Sequence, residues 1–278
     1  MNRFARVLGL VGMVIVLVIG IPLTATAQEV PEGLKEVSDL KQQLISLLPE
    51  NENVDAHHAE KAEEARRNAE AAMQEAIAVP DHSSVRYRTQ VHLGTDAIFY
   101  TADGGNADAG RWGATPGAWG ADYYAGMRRA EAASLVGPGG WGGAWAWANV
   151  GKFFTVVGEG SRVADLRVIG DLNGYLSVLV AGSTSVTVKF VLYNYTTGTS
   201  YETVILNQSL GLAGYSHWTH GFNQGIPVLL QAGHDYIAYI QVETASGVYG
   251  VGYACSDWGR QDGDYGQYIQ YSSISINF

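Results

Sequence analysis

The sequence predicts a mainly β protein: an antiparallel, jelly-roll-like β-sandwich preceded by an N-terminal α-helical hairpin segment. Three observations lead there. Apolar and polar residues alternate in run after run through the second half of the chain, which is the period of strands with one face buried. A segment before them, from Pro31 to Ala78, changes to helical spacing. Charged residues make up only 16%, against 35 Gly, 16 Tyr and 7 Trp, a balance that suits an extracellular all-β chain and does not suit disorder.

Residues 1–27 open with Arg3 and Arg6, continue through an apolar run from Val7 to Leu23 and end on Ala25, Thr26, Ala27. This is the pattern of a secretory signal peptide, so the mature chain is expected to be secreted, with no stable membrane span after cleavage. The helical segment, residues 28–80, contains two expected helices. In the first, Val37, Leu40, Leu44, Leu47 and Leu48 share a face that stops at Pro49. The second runs from about Asp55 to Ile77, with Ala62, Ala65, Ala69, Ala72 and Ala76 three and four residues apart. Small residues on such a seam bury little area per turn, so this helix needs a partner, and the first helix is the expected one. Association of two copies through this segment is a second use of the same seam.

Val79 and Pro80 mark a boundary, and residues 81–278 are expected to form the sandwich. Val85, Tyr87, Thr89, Val91 and Leu93 alternate with polar residues, and Ile98 to Thr101 is a second short strand. A Gly- and Trp-rich insertion is expected at about 103–143, with one helical turn from Ala125 to Leu135. Strand runs follow at Ala144 to Val157, Val163 to Gly170 and Tyr175 to Val180. The most regular stretch is a hairpin from Ser183 to Leu206, in which Val186, Val188, Phe190 and Leu192 form one face and Gly198 lies in the turn. Ile226 to Leu230, Tyr236 to Glu243, Val248 to Cys255 and Tyr268 to Phe278 complete the set, the last expected to dock Ile274, Ile276 and Phe278 into the core. The run Leu230 to Tyr236 and the closing strand Ser272 to Phe278 resemble the ends of secreted jelly-roll modules, among them carbohydrate-binding ones. That resemblance spans roughly residues 145 to 278.

The formal net charge of −10 makes nucleic acid an unfavourable partner, because no Lys or Arg cluster is large enough to neutralise several phosphates. Cys255 is the single cysteine, so no intrachain disulfide holds the fold. Trp112, Trp119, Trp218 and Trp258 fall in stretches read as Gly- and polar-rich loops. They are the candidate ligand-binding residues, since exposed indole rings match the apolar C–H faces of sugars. Trp141, Trp145 and Trp147 are read first as core. Asp257, Asp262 and Asp264 cluster among glycines and are the candidate metal ligands, with Ca²⁺ the cation that oxygen donors on such a backbone accept. Asp103, Asn106 and Asp108 form a weaker version of the same pattern, and His57 with His58 and His217 with His220 are weaker metal candidates still. Asn194 and Asn207 begin glycosylation sequons.

No catalytic motif is present: no Gly-x-Ser-x-Gly elbow, His-Glu-x-x-His helix, phosphate-cradling loop or Glu-x-Asp-x-Glu strand. The leading expectation is therefore a secreted non-catalytic binding or adhesion module whose partner is a glycan or cell-surface ligand, with no required cofactor. A self-associating surface or filament protein is one alternative. A polysaccharide-active hydrolase or lyase using Glu243 with Asp257 or Asp262 is the other.

Overall fold

The computed structural model describes residues 52–81, 88–259 and 267–278, the side chains of residues 52–55 excepted. The expected signal peptide and first helix lie outside the described residues, as do Asp262 and Asp264. Among the described residues there is one α-helix, α1 (Glu52–Ala76), and thirteen strands. The chain divides after His58, and everything said below about packing concerns the unit from Ala59 to Phe278. In the preceding unit the rings of His57 and His58 lie 6.2 Å apart on the first turns of α1.

The strands are β1 (Thr89–His92), β2 (Ala97–Phe99), β3 (Gly104–Ala114), β4 (Gly117–Tyr124), β5 (Arg129–Val136), β6 (Gly140–Val157), β7 (Ser161–Leu179), β8 (Gly182–Asn194), β9 (Thr199–Gly211), β10 (Gly214–Gln231), β11 (Asp235–Gly250), β12 (Tyr253–Trp258) and β13 (Tyr268–Asn277). The first sheet has the order β1-β6-β11-β8-β9, with β3 sharing the β1 edge of β6. In the second, β10 lies beside β7, whose other edge is shared by β12 and β13, and β5 and β4 follow. All pairs are antiparallel except β1 with β6. The result is a β-sandwich in which the chain changes sheet repeatedly between β6 and β12.

The core lies between the sheets. Val186, Val188, Phe190 and Leu192 of β8 and Tyr236, Ala238, Ile240 and Val242 of β11 are buried with Leu166, Val168, Leu172 and Leu176 of β7. Ile274 and Ile276 of β13 join them, and Phe278 packs against the cluster half-buried, so the alternation of the closing strand is realised as expected. The hairpin β8–β9 is also realised, with Gly198 at φ 72 in its turn. Asn194 is buried there, its Oδ1 accepting from the Thr196 amide at 2.9 Å.

Strands β6 and β11 are buried on both faces because α1 covers the outer side of their sheet. Ala62, Ala65 and Ala69 are wholly buried, and the surface they meet is the sheet. Gly143 and Gly247 lie directly beneath the helix: a Cβ on Gly247 would stand 2.2 Å from the Arg66 amide nitrogen and 2.6 Å from the Ala62 carbonyl. Small residues on the helix thus meet residues without side chains on the sheet, which sets the close approach. Beyond Ala76 the segment to Pro80 continues along the same face, where the Asn149 amide donates to Ala78 O at 3.1 Å and Asn106 to Val79 O at 3.0 Å.

Residues 103–143, expected as an insertion, are strands of both sheets. Along β3 the glycines are sites of contact: a Cβ on Gly110 would come within 2.5 Å of the Trp145 ring. The helical turn expected from Ala125 to Leu135 is one 3-10 turn, Ala125–Met127, closed by Arg128 in the left-handed region at φ 57, after which β5 begins.

Candidate functional site

Strand β6 points Trp141, Trp145 and Trp147 to the outer face of the first sheet. The helix decides their fates. Trp145 and Trp147 lie beneath Ala69 and Met73 and are buried, whereas Trp141 lies past the helix and is 40% exposed. Trp112 of β3, opposite Gly143 in the ladder, meets Trp141 edge to face with ring centroids 4.5 Å apart and planes at 71°. Tyr249 of β11 is the partner of Trp141 on the other side. The backbones of β3 and β6 come together here at Gly113, where a Cβ would meet Trp141 O at 2.5 Å. Trp141 at this corner is the one exposed tryptophan among the described residues, and an edge-to-face pair with the half-buried Trp112 holds its ring plane fixed for a stacking ligand.

The four candidate tryptophans do not form one site. Trp119 of β4 lies on the inner side of the second sheet's edge, half-buried against Val136 and Val248, with the Arg111 guanidinium 5.6 Å over its ring. Trp258 is a correction: β12 extends through it, and it is fully buried, its ring filling the space left by Gly174, where a Cβ would stand 2.4 Å away. Trp218, half-buried on β10, packs over Trp258 at 5.9 Å. Of the four, only Trp112, half-buried, is joined by an exposed indole, and that partner, Trp141, is one the sequence alone assigns to the core. The alternation of β6 does put it on the face of Trp145; what the alternation lacks is the position where the helix begins and ends over that face.

Asp257 is also buried, at 6% exposure, with its Oδ1 accepting from the Gly259 amide at 3.1 Å. No cluster of three metal-ligating side chains occurs among the described residues. Asp103 and Asn106 are occupied structurally. Asp103 pairs with Lys152 at 2.7 Å and accepts from the Phe153 amide at 3.0 Å, while Asn106 tethers the segment after the helix. His217 and His220 lie on a strand, so their rings project to opposite faces and cannot converge on one ion.

Glu243 lies on the outer face of the first sheet beneath α1. Its carboxylate accepts from Gln74 at 2.9 Å and Gln241 at 2.7 Å and pairs with Lys189 at 3.1 Å. Asp257 is on the outer face of the second sheet, beside Tyr175. The sandwich core separates the two carboxylates, so they do not face each other across a groove in either glycosidase geometry.

No protein-family model and no curated protein matches the chain. Among solved structures, the native structure of a family 35 carbohydrate binding module from Clostridium thermocellum aligns with 66% of this chain and 97% of its own, at 13% identity and a TM-score of 0.20. At that score neither a common topology nor any residue equivalence follows.

Proposed function

We propose that this chain is a secreted, non-catalytic binding module of jelly-roll type, and that its ligand is a glycan or another cell-surface molecule held at the Trp112–Trp141 corner. The observation behind this reading is the exposed Trp141 ring braced by Trp112 at 4.5 Å at the open end of a sheet face. Sugar rings stack on such a surface through their C–H faces, and the rigid pair pays little ordering entropy on binding. The test is affinity electrophoresis and glycan-array binding of the mature chain and of Trp141→Ala. A binder that loses at least tenfold in affinity in the variant supports the reading. Absence of binding to every polysaccharide, with Trp141 fluorescence unmoved, removes it.

A self-associating surface protein is the second reading, and one feature favours it. Strand β9 is thirteen residues long, forms the edge of its sheet, and exposes Tyr201 and Val204. Such an edge is a template for a strand of another copy. The alanine seam of α1 is already occupied by the sheet, so the edge rather than the helix is the route to assembly. Light scattering of the mature chain, with Val204→Lys as the control, decides this: a monomer in both proteins excludes it.

A further inference from the structure

The outer face of the second sheet carries a cluster of polar and aromatic side chains. At its centre are His217 and Thr219 of β10 and Asn173 and Tyr175 of β7, with His217 opposite Tyr175 and Thr219 opposite Asn173 in the ladder. The Tyr175 and Tyr215 rings lie 5.7 Å apart with planes 31° apart, forming a shallow aromatic step. Beside it, Asn173 Oδ1 accepts from Thr219 Oγ1 at 2.9 Å and from His217 Nε2 at 2.8 Å, and His217 Nε2 is also 3.3 Å from Thr219 Oγ1. Tyr268 of β13 continues the row beyond Asn173.

These contacts fix the tautomer of the imidazole. Asn173 Oδ1 can only accept, so the proton of the neutral ring is on Nε2, and Nδ1 presents a lone pair. Thr219 spends its proton on the same oxygen. His217 is exposed on this face, and both of its hydrogen-bond contacts, to Asn173 and Thr219, use Nε2. Partial burial lowers the pKa of the ring below its ordinary 6.5, so the neutral form prevails at neutral pH.

We propose that the Tyr175, Tyr215 and His217 patch is a second binding site, separate from the Trp112–Trp141 corner, for an uncharged saccharide, and that His217 Nδ1 accepts a hydrogen bond from one of its hydroxyls. Aromatic surface for the C–H face next to a preoriented acceptor is the chemistry that a polyhydroxylated ring requires. The charges choose among such rings. Asp171, hydrogen-bonded to Tyr268, and Asp257, beside Tyr175, are acidic groups at the patch, the Arg129 guanidinium over Tyr268 is a cationic one, and in a chain of net charge −10 the balance disfavours carboxylated and sulfated glycans. The other titratable groups around His217 are Tyr175, Tyr215, Tyr268, Tyr253 and Cys255, with Arg129 of β5 over the Tyr268 ring and Arg162 and the Asp165–Arg167 pair further along β7; His220 projects to the opposite face of the sheet. For Tyr175, the neighbouring Cys255 thiol, burial and Asp257 all push the phenol up, so it stays a neutral O–H throughout the range in which His217 titrates.

The sign of the pH dependence follows. Above the His217 midpoint Nδ1 accepts and the site is competent; below it Nδ1 carries a proton, the acceptor is lost, and binding falls. The experiment uses the full mature chain labelled with ¹⁵N in its histidines, titrated with hexasaccharides of glucose, of mannose and of xylose, and with oligogalacturonate as the anionic probe. The expected result has three parts. The His217 ¹⁵N shifts show a protonated Nε2 and a bare Nδ1 at pH 7.5. At least one neutral hexasaccharide moves His217, with an affinity that falls at least tenfold as pH drops through the midpoint of that histidine, while oligogalacturonate does not bind. The affinity is lost in Tyr215→Ala, and His217→Gln, which keeps an uncharged acceptor, binds without the pH dependence.

Protonation on Nδ1 instead of Nε2, no shift at His217 with any neutral hexasaccharide, or equal binding of oligogalacturonate overturns the proposal. Trp141→Ala distinguishes this site from the first. It leaves the His217 titration unchanged if the two are independent, so either site can fail without the other.

Discussion

Ser183 Oγ on β8 donates a 2.5 Å hydrogen bond to Glu63 Oε2 on α1. Two turns along, Ser185 Oγ donates to Glu70 Oε1 at 2.6 Å, and Arg66 pairs with both carboxylates from its position between them. The helix is therefore fastened to the sheet by carboxylates along one side and by its alanine seam along the other. This pairing makes the docking of the helix acid-labile. Burial alone would raise the Glu63 carboxyl, but hydrogen bonds from Arg66 and Ser183, the Arg66 charge and Arg67 outweigh it and pull the pKa from 4.5 down to about 2. A carboxyl depressed in the folded state contributes stability that is present above its unfolded value and lost as pH falls through the folded one. Acidification from pH 4.5 towards 2 is thus expected to loosen α1. Trp145 and Trp147 beneath it report the change as a red shift in emission, and Glu63→Gln should flatten the pH dependence. An unchanged profile in that variant would show that the tether contributes nothing.

Gly247→Val tests the close approach of helix and sheet. The new side chain would collide with the helix backbone at Arg66 and Ala62, not with a movable side-chain end. Overpacking of this kind costs about 1–3 kcal/mol. Denaturant unfolding should show that loss together with exposure of Trp145 and Trp147 in the native baseline. A variant as stable as the parent with buried tryptophans would mean that the helix can dock at a different height.

Trp258→Ala and Trp141→Ala should behave oppositely. Removing the fully buried Trp258 from its place over Gly174 is expected to cost about 3–5 kcal/mol, by core-truncation magnitudes. Removing the exposed Trp141 should change stability by about 0.5 kcal/mol or less. Its effect belongs in ligand binding. Urea midpoints of the two variants, measured side by side, check the assignment of one to the core and the other to the surface.

Ile274→Ala and Ile276→Ala each remove a wholly buried side chain of β13 and should each destabilise by about 2–5 kcal/mol. Ser275→Ala, between them on the opposite face, is the control and should be near neutral. Equal midpoints for all three variants would mean that the closing strand is not part of the cooperative core.

Much of this architecture was legible in the residues because side-chain alternation is a local property. Val186, Val188, Phe190 and Leu192, or Ile274 and Ile276, declare a buried face without reference to anything distant, and Ala62, Ala65 and Ala69 declare a helix face in the same way. Strands β3, β4 and β5 gave no such signal. Of their 27 residues 14 are Gly or Ala, and what makes them strands is the surface of β6 and β12 beside them, with Trp145 lying over Gly110. Trp258 looked like a loop residue because the space it fills belongs to Gly174, more than eighty positions earlier in the chain.

The sequence by itself determined the sandwich, the helix and the absence of a disulfide, since each depends on composition and on spacing within one segment. Tertiary structure alone decided which surface the alanine seam meets. It also decided which of Trp141, Trp145 and Trp147 remains open, and that Glu243 and Asp257 stand on opposite sides of the core. The physical reason is that exposure is a relation between segments. A tryptophan on the outer face of a strand is core or binding surface according to what lies above it: Ala69 and Met73 of the helix cover Trp145 and Trp147, whereas Trp141 lies past the helix and stays open.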